Sequence, residues 1–161
     1  MKKILLILAL LAVYGCGSNQ SEQAKQVPSE DPQKKEDLYI SEGISYLQQG
    51  NAAEAIKSFD ESIKQYPTDP RRYMVLAHTY MRLKNYSRAI DTYTAALRYA
   101  ENKGEVYYLL AVCYGLTGNQ SMTQESIQKS IEMFTQDRDE VNLAKALAFI
   151  QNFNTNQAVA E

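Results

Sequence analysis

The chain repeats itself every 34 residues, and that period limits the folds open to it. Tyr39, Tyr73 and Tyr107 are spaced by 34, as are Tyr46, Tyr80 and Tyr114. Gly43, Ala77 and Ala111 keep the same register, and so do Asn51, Asn85 and Asn119, and Ile63, Leu97 and Ile131. Phe59, Tyr93 and Ile127 fit it too, with Ser62, Ala96 and Ser130 following on the same face. A unit of this length is one supersecondary element that cannot bury its apolar face alone, so neighbours must stack to bury it together. Small residues at Gly43, Ala55 and Ser62 let two helices approach closely, and large ones at Tyr39, Tyr46 and Phe59 fill the gaps between them.

Composition agrees with helices. The 161 residues include only 7 glycines and 4 prolines, too few for the many turns of a sheet protein. The balance of 45% hydrophobic and 22% charged residues is that of one globular domain. The formal net charge is -2, which does not provide the electrostatic footprint that nucleic-acid binding demands.

The recurring residues are those of the tetratricopeptide repeat, a helix-turn-helix unit. The chain resembles that family from Glu36 to about Asp137, with units at 36–69, 70–103 and 104–137. In the first, Tyr39 and Gly43 stand at the aromatic and small positions, Gly50-Asn51 forms the turn, and Pro67 closes the unit. The second repeats this with Tyr73, Ala77, Tyr80, Ala89, Tyr93 and Ala96, although Glu101 replaces the closing proline. The third keeps its first helix through Tyr107, Leu110, Ala111, Tyr114 and Gly118-Asn119. Its second helix departs from the pattern, with Thr123 and Gln124 where Ala89 and Ile90 sit in the second unit, and is expected to pack loosely. A further helix is predicted over 138–153, where Leu143, Leu147 and Ile150 form one apolar stripe that caps the stack. Residues 154–161 read as a frayed tail. The expected fold class is therefore all-α: a right-handed solenoid of three units plus a capping helix.

In that family the first helices line a concave groove that takes an extended peptide or a helix from a partner. By register the groove residues here are Ile40, Ile44 and Leu47, then Met74, His78, Met81 and Arg82, then Tyr108 and Val112. This surface is mostly apolar, with flexible Met, which suits adaptable contacts. One subfamily grips a terminal carboxylate with Lys, Arg and Asn in the groove. The corresponding positions here include Ile40, Ile44 and Val75, so no recognition of that kind is expected. Phe149 and Phe153 lie one turn apart on the cap, as core residues or, if exposed, as a docking patch.

The first fifteen residues carry a different signal. Lys2 and Lys3 precede Ile4 to Tyr14, eleven residues without a charge. A helix of that length is too short for a hydrocarbon core of about 30 Å but suits a signal-peptide core. Val13-Tyr14-Gly15-Cys16 resembles the lipobox of bacterial lipoproteins, in which the cysteine is acylated and the segment before it removed. Tyr14 departs from that pattern, because the residue two before the cysteine is usually small. Removing Lys2 and Lys3 from the 17 basic residues leaves 15 against 19 acidic ones. Residues 16–35 then read as the lipidated Cys16 and a tether, since Gly17 to Lys35 has too little apolar surface to order itself. Gly17, rather than Asp, just after the cysteine makes outer-membrane placement the default for a Gram-negative lipoprotein.

No chemistry is signalled. His78 is the single histidine, and nothing near it in sequence completes a triad or a metal site. Cys113 has no partner if Cys16 is lipidated, so it reads as a small buried residue. Phosphate-binding glycine motifs are missing, and no cofactor, metal or small-molecule substrate is expected. The expected role is a lipid-anchored scaffold or assembly factor of the cell envelope, similar in architecture to pilotins and outer-membrane assembly lipoproteins. A periplasmic holder of exported polypeptides is the alternative among binding proteins, and a cell-wall enzyme the alternative from another class.

Overall fold

A computed structural model describes residues 32–158. The segment read as a signal peptide, Cys16, the tether up to residue 31 and the last three residues lie outside them. Among the described residues the chain forms seven helices and no strand. These are α1 (Pro32–Gln48), α2 (Ala52–Gln65), α3 (Pro70–Arg82), α4 (Tyr86–Ala96), α5 (Lys103–Leu116), α6 (Gln120–Gln136) and α7 (Glu140–Ala158). Each helix packs on the next, and α1–α2, α3–α4 and α5–α6 are the three antiparallel pairs of the repeat.

The turns within the pairs are set by one residue in the left-handed region. Gly50 (φ 81), Lys84 (φ 58) and Gly118 (φ 74) occupy it, again 34 apart. The amides of Asn51, Asn85 and Asn119 then donate back to the carbonyls of Tyr46, Tyr80 and Tyr114 at 2.8, 2.9 and 2.9 Å. This closes each first helix as a Schellman motif. All three asparagines stand at the start of a second helix, and two cap it with the side chain: Asn85 Oδ1 accepts from the Arg88 amide and Asn119 Oδ1 from the Met122 amide, whereas Asn51 makes no such bond. One Asn therefore serves two helix ends, which keeps the turn short.

The small positions do what the pattern requires. Ala55, Ala77, Ala89, Ala96 and Ala111 are fully buried, as are Ser62, Thr123 and Ser130. At Gly43 the ring of Phe59 takes the space a Cβ would need, and at Gly104 the ring of Phe134 does. Arg72 joins the first unit to the second: buried, it lies over the Tyr66 ring at 4.3 Å, is 3.3 Å from Asp69 and donates to Ser62 Oγ. Burial pushes the Asp69 carboxyl up. Hydrogen bonds from Arg71 and the charges of Arg71 and Arg72 outweigh it and hold the group below the usual carboxylate range.

Four details differ from expectation. The second helix of the third unit is not loose: α6 buries Thr123, Ser126, Ile127, Ser130 and Phe134. Its hydroxyls satisfy themselves on backbone, Thr123 donating to Asn119 O at 2.8 Å and Ser130 to Gly104 O at 2.9 Å, so polar residues fit a dry interface. Helix α1 starts at Pro32, inside the stretch read as tether, because proline suits a first helical position and no breaker follows it. Helix α7 runs to Ala158 instead of ending at Phe153, since no Gly or Pro interrupts it and Thr155 is bonded to Gln151 O. Its inward face holds Leu143, Ala146, Phe149 and Ile150, while Leu147 is 49% exposed. Fully buried Ala146 lets the helix approach closely on that side.

Candidate functional site

The first helices α1, α3 and α5 carry the residues assigned to the groove, and the structure sorts them into three groups. Ile44 (42% exposed), His78 and Arg82 are exposed. Ile40, Leu47, Met74 and Val112 are half-buried, with Leu47 and Met74 also packing against the main core. Met81 and Tyr108 are turned to neighbouring helices. Cys113 Sγ donates to Met81 Sδ, so Met81 joins α3 to α5. The Tyr108 ring meets Phe149 edge-on at 5.8 Å, and Phe149 stacks on Phe153 at 6.1 Å. Both phenylalanine rings lie over Gly115, at the distance where a Cβ would make ordinary contact with each, 3.6 Å.

Helix α7 thus lies against α5 and α6 and covers the third unit at Tyr108 and Gly115, both on the groove side of α5 by register. Phe149 and Phe153 are half-buried packing residues. The open part of the surface is bounded by α1, α3 and the N-terminal half of α5.

Two depressions mark it. Between the C-terminal ends of α1 and α3, Leu47, Gly50, Ala52, Thr79, Arg82 and Leu83 line a cavity of about 190 Å³. Between the N-terminal ends of α3 and α5 a larger one, about 370 Å³, is lined by Met74, Val75, His78, Val106, Glu105 and their neighbours. Of its lining, Met74 and His78 were assigned from sequence, whereas Arg71, Glu101, Asn102 and Glu105 were not. A signal for two of them was present: Arg71 and Glu105 are 34 apart and stand one helical turn before Met74 and Tyr108.

Under this face lies the Tyr93 ring, met edge-on by His78 at 5.7 Å. Its hydroxyl is buried and has no hydrogen-bond partner among the described residues. Burial pushes the phenol far up, with Cys113 and Glu105 adding to it. Burial also pushes the Cys113 thiol up to about 11, so it stays protonated at neutral pH. Among the described residues no group of three or more His, Cys, Asp or Glu is placed to hold a metal ion, and no helix is long and apolar enough to cross a membrane.

The comparisons agree with this architecture. The Tetratricopeptide repeat family model matches residues 46–113. The TPR2B domain of yeast Sti1, solved in a complex with pHsp70, is 18% identical with a TM-score of 0.67, covering 76% of this chain and 98% of that one. PcrH, solved with the chaperone binding region of PopD, is 18% identical with a TM-score of 0.68, covering 81% and 98%. The first TPR of Spaghetti (RPAP3), bound to the HSP90 peptide SRMEEVD, is 19% identical with a TM-score of 0.63, covering 81% and 97%. No curated protein matches the sequence. The fold is a tetratricopeptide-repeat solenoid, a class whose solved neighbours bind peptides or partner proteins.

Proposed function

We propose that this chain is a lipid-anchored scaffold or assembly factor of the bacterial cell envelope, and that it holds a partner protein in the groove along its first helices. The observation that carries the binding role is the open, partly apolar surface over α1, α3 and the start of α5. Ile44 and His78 are exposed there and a cavity of about 370 Å³ follows. An exposed apolar depression with a few polar groups on a rigid scaffold suits a peptide or a helix. The anchoring role rests on the sequence alone: a charged start, an uncharged core and Val13-Tyr14-Gly15-Cys16. Acyl chains on Cys16 would hold the domain at the membrane, by default the outer membrane facing the periplasm, since each buried methylene contributes about 0.8 kcal/mol.

The test is in-cell crosslinking and affinity capture, comparing wild type with Ile44→Glu plus His78→Glu. Both side chains are exposed, so circular dichroism should be unchanged. One envelope protein captured in fixed ratio and lost with the variant supports the scaffold. An unchanged captured set refutes the groove. Many weak partners that depend on the groove point to the holder of exported polypeptides, the second reading. That reading is favoured by the likeness to PcrH, whose structure holds the chaperone binding region of PopD. Fatty-acid labelling that survives in Cys16→Ala would overturn the anchor.

A further inference from the structure

We infer that the cavity between the N-terminal ends of α3 and α5 selects a partner segment carrying an apolar side chain next to a basic one. This rests on the groove reading and adds to it the chemistry of the occupant. The apolar part of the lining is half-buried Met74 and Val75 on α3, with buried Val106 on α5 and buried Ala100 just before that helix. An apolar side chain entering there replaces water mainly against Met74 and Val75, the half-buried members of that wall. At its edge stand the exposed carboxylates of Glu101 and Glu105.

Among the residues that line the cavity, carboxylates outnumber lysines and arginines two to one. Arg71 is the only arginine or lysine that lines the cavity, and its guanidinium is clasped by Asp69, with Nε at 3.0 and 3.1 Å and Nη2 at 2.7 Å from the carboxylate oxygens. Its fork is directed at Asp69. Lys103 lies more than half a helical turn around α5 from Glu105 and is not among the lining residues. His78 also lines the cavity. The local field is therefore negative over an apolar floor. A segment with Lys or Arg beside Leu, Met or Val satisfies both, and one with Asp or Glu there meets like charge. The preference is opposite in sign to capture of a terminal carboxylate.

The probes are three fluorescein-labelled peptides of twelve residues on a Gly-Ser frame, with a central Lys-Leu-Lys, Glu-Leu-Glu or Lys-Ser-Lys. Binding to the full chain is read by anisotropy, and contact by the ¹³C-methyl signal of Met74, assigned with Met74→Leu. The Lys-Leu-Lys peptide should bind at least about tenfold more tightly than either other peptide, lose affinity with salt, and shift the Met74 methyl. Glu101→Gln with Glu105→Gln should erase the preference, and Glu101→Lys with Glu105→Lys should invert it. Both residues are exposed, so the fold should be retained.

Equal or better binding of the acidic peptide, an unmoved Met74 methyl, or no binding by any peptide would overturn the inference. The two readings fail differently in cells. If capture is lost with Ile44→Glu plus His78→Glu but survives Glu101→Lys with Glu105→Lys, the groove stands and this inference falls. If neither variant affects capture, the groove reading itself falls.

Discussion

Gly43→Ala sets two known effects against each other, and the structure decides between them. Glycine in the middle of a helix costs about 1 kcal/mol relative to alanine, so propensity alone makes the substitution stabilising. The register agrees, because Ala77 and Ala111 hold the same position in the other units. The space does not. A Cβ on Gly43 would stand 2.7 Å from Cζ and 2.8 Å from Cδ1 of Phe59, and closer still to Cε1. Phe59 is 1% exposed, so the ring has no solvent side to retreat to. Overpacking of this kind costs about 1–3 kcal/mol, and three close ring carbons place it near the upper end. The net expectation is a loss of about 2 kcal/mol, or a fall in Tm of roughly 6 °C for a domain of this size. Urea unfolding followed by circular dichroism measures it. Phe59→Ile supplies the third unit's residue and should cost about 1–2 kcal/mol alone. Combined with Gly43→Ala it should recover about 2 kcal/mol of coupling. If Gly43→Ala is as stable as wild type, or the double variant shows no coupling, the close approach of α1 to the Phe59 ring is not what requires glycine.

Three further outcomes follow from single side chains. Tyr93→Phe removes a buried hydroxyl without a partner, so it should leave stability unchanged or raise it by about 1 kcal/mol in urea unfolding, and a loss of that size would show the hydroxyl to be bonded. Lys84→Gly relieves a left-handed backbone that the first and third units give to Gly50 and Gly118, and should stabilise by about 1 kcal/mol by thermal unfolding. Asp69 has its carboxyl held below the usual range in the fold, so its contribution is present above the unfolded-state value and is lost as pH falls through the folded one. Asp69→Asn should therefore lower stability at neutral pH and flatten the acid limb between about pH 5 and pH 2; an unchanged acid limb would show that the ion pairs with Arg71 and Arg72 do not matter.

The repeat made the helix pairs legible because it records a packing rule that each unit must obey. Alternating large and small residues at a fixed period allow one docking angle between paired helices, and no partner has to be known to read it. The turns were legible for the same reason, even where Lys84 stands in place of glycine. Helix α6 was not. Thr123 and Ser126 look like surface residues until the packing of α6 is known, in which the Thr123 hydroxyl is received by the Asn119 carbonyl. The groove was half legible. The register named Met74 and His78, which line a cavity in the structure, but it could not separate Met81, whose sulfur turns to Cys113, from its neighbours.

What the sequence by itself determined is thus the repeating unit, its turns and its stacking, since these depend on contacts at fixed short separations along the chain. What only the tertiary structure decided is how α7 covers the third unit and which residues surround the cavity between α3 and α5. Helix α7 lies outside the period, so its rotation about its own axis is chosen by the fit of Ala146, Phe149 and Phe153 against α5 and α6. That fit covers Tyr108 and leaves Met74 open. Burial and exposure of equivalent positions diverge there, because they depend on a neighbour that no repeat encodes.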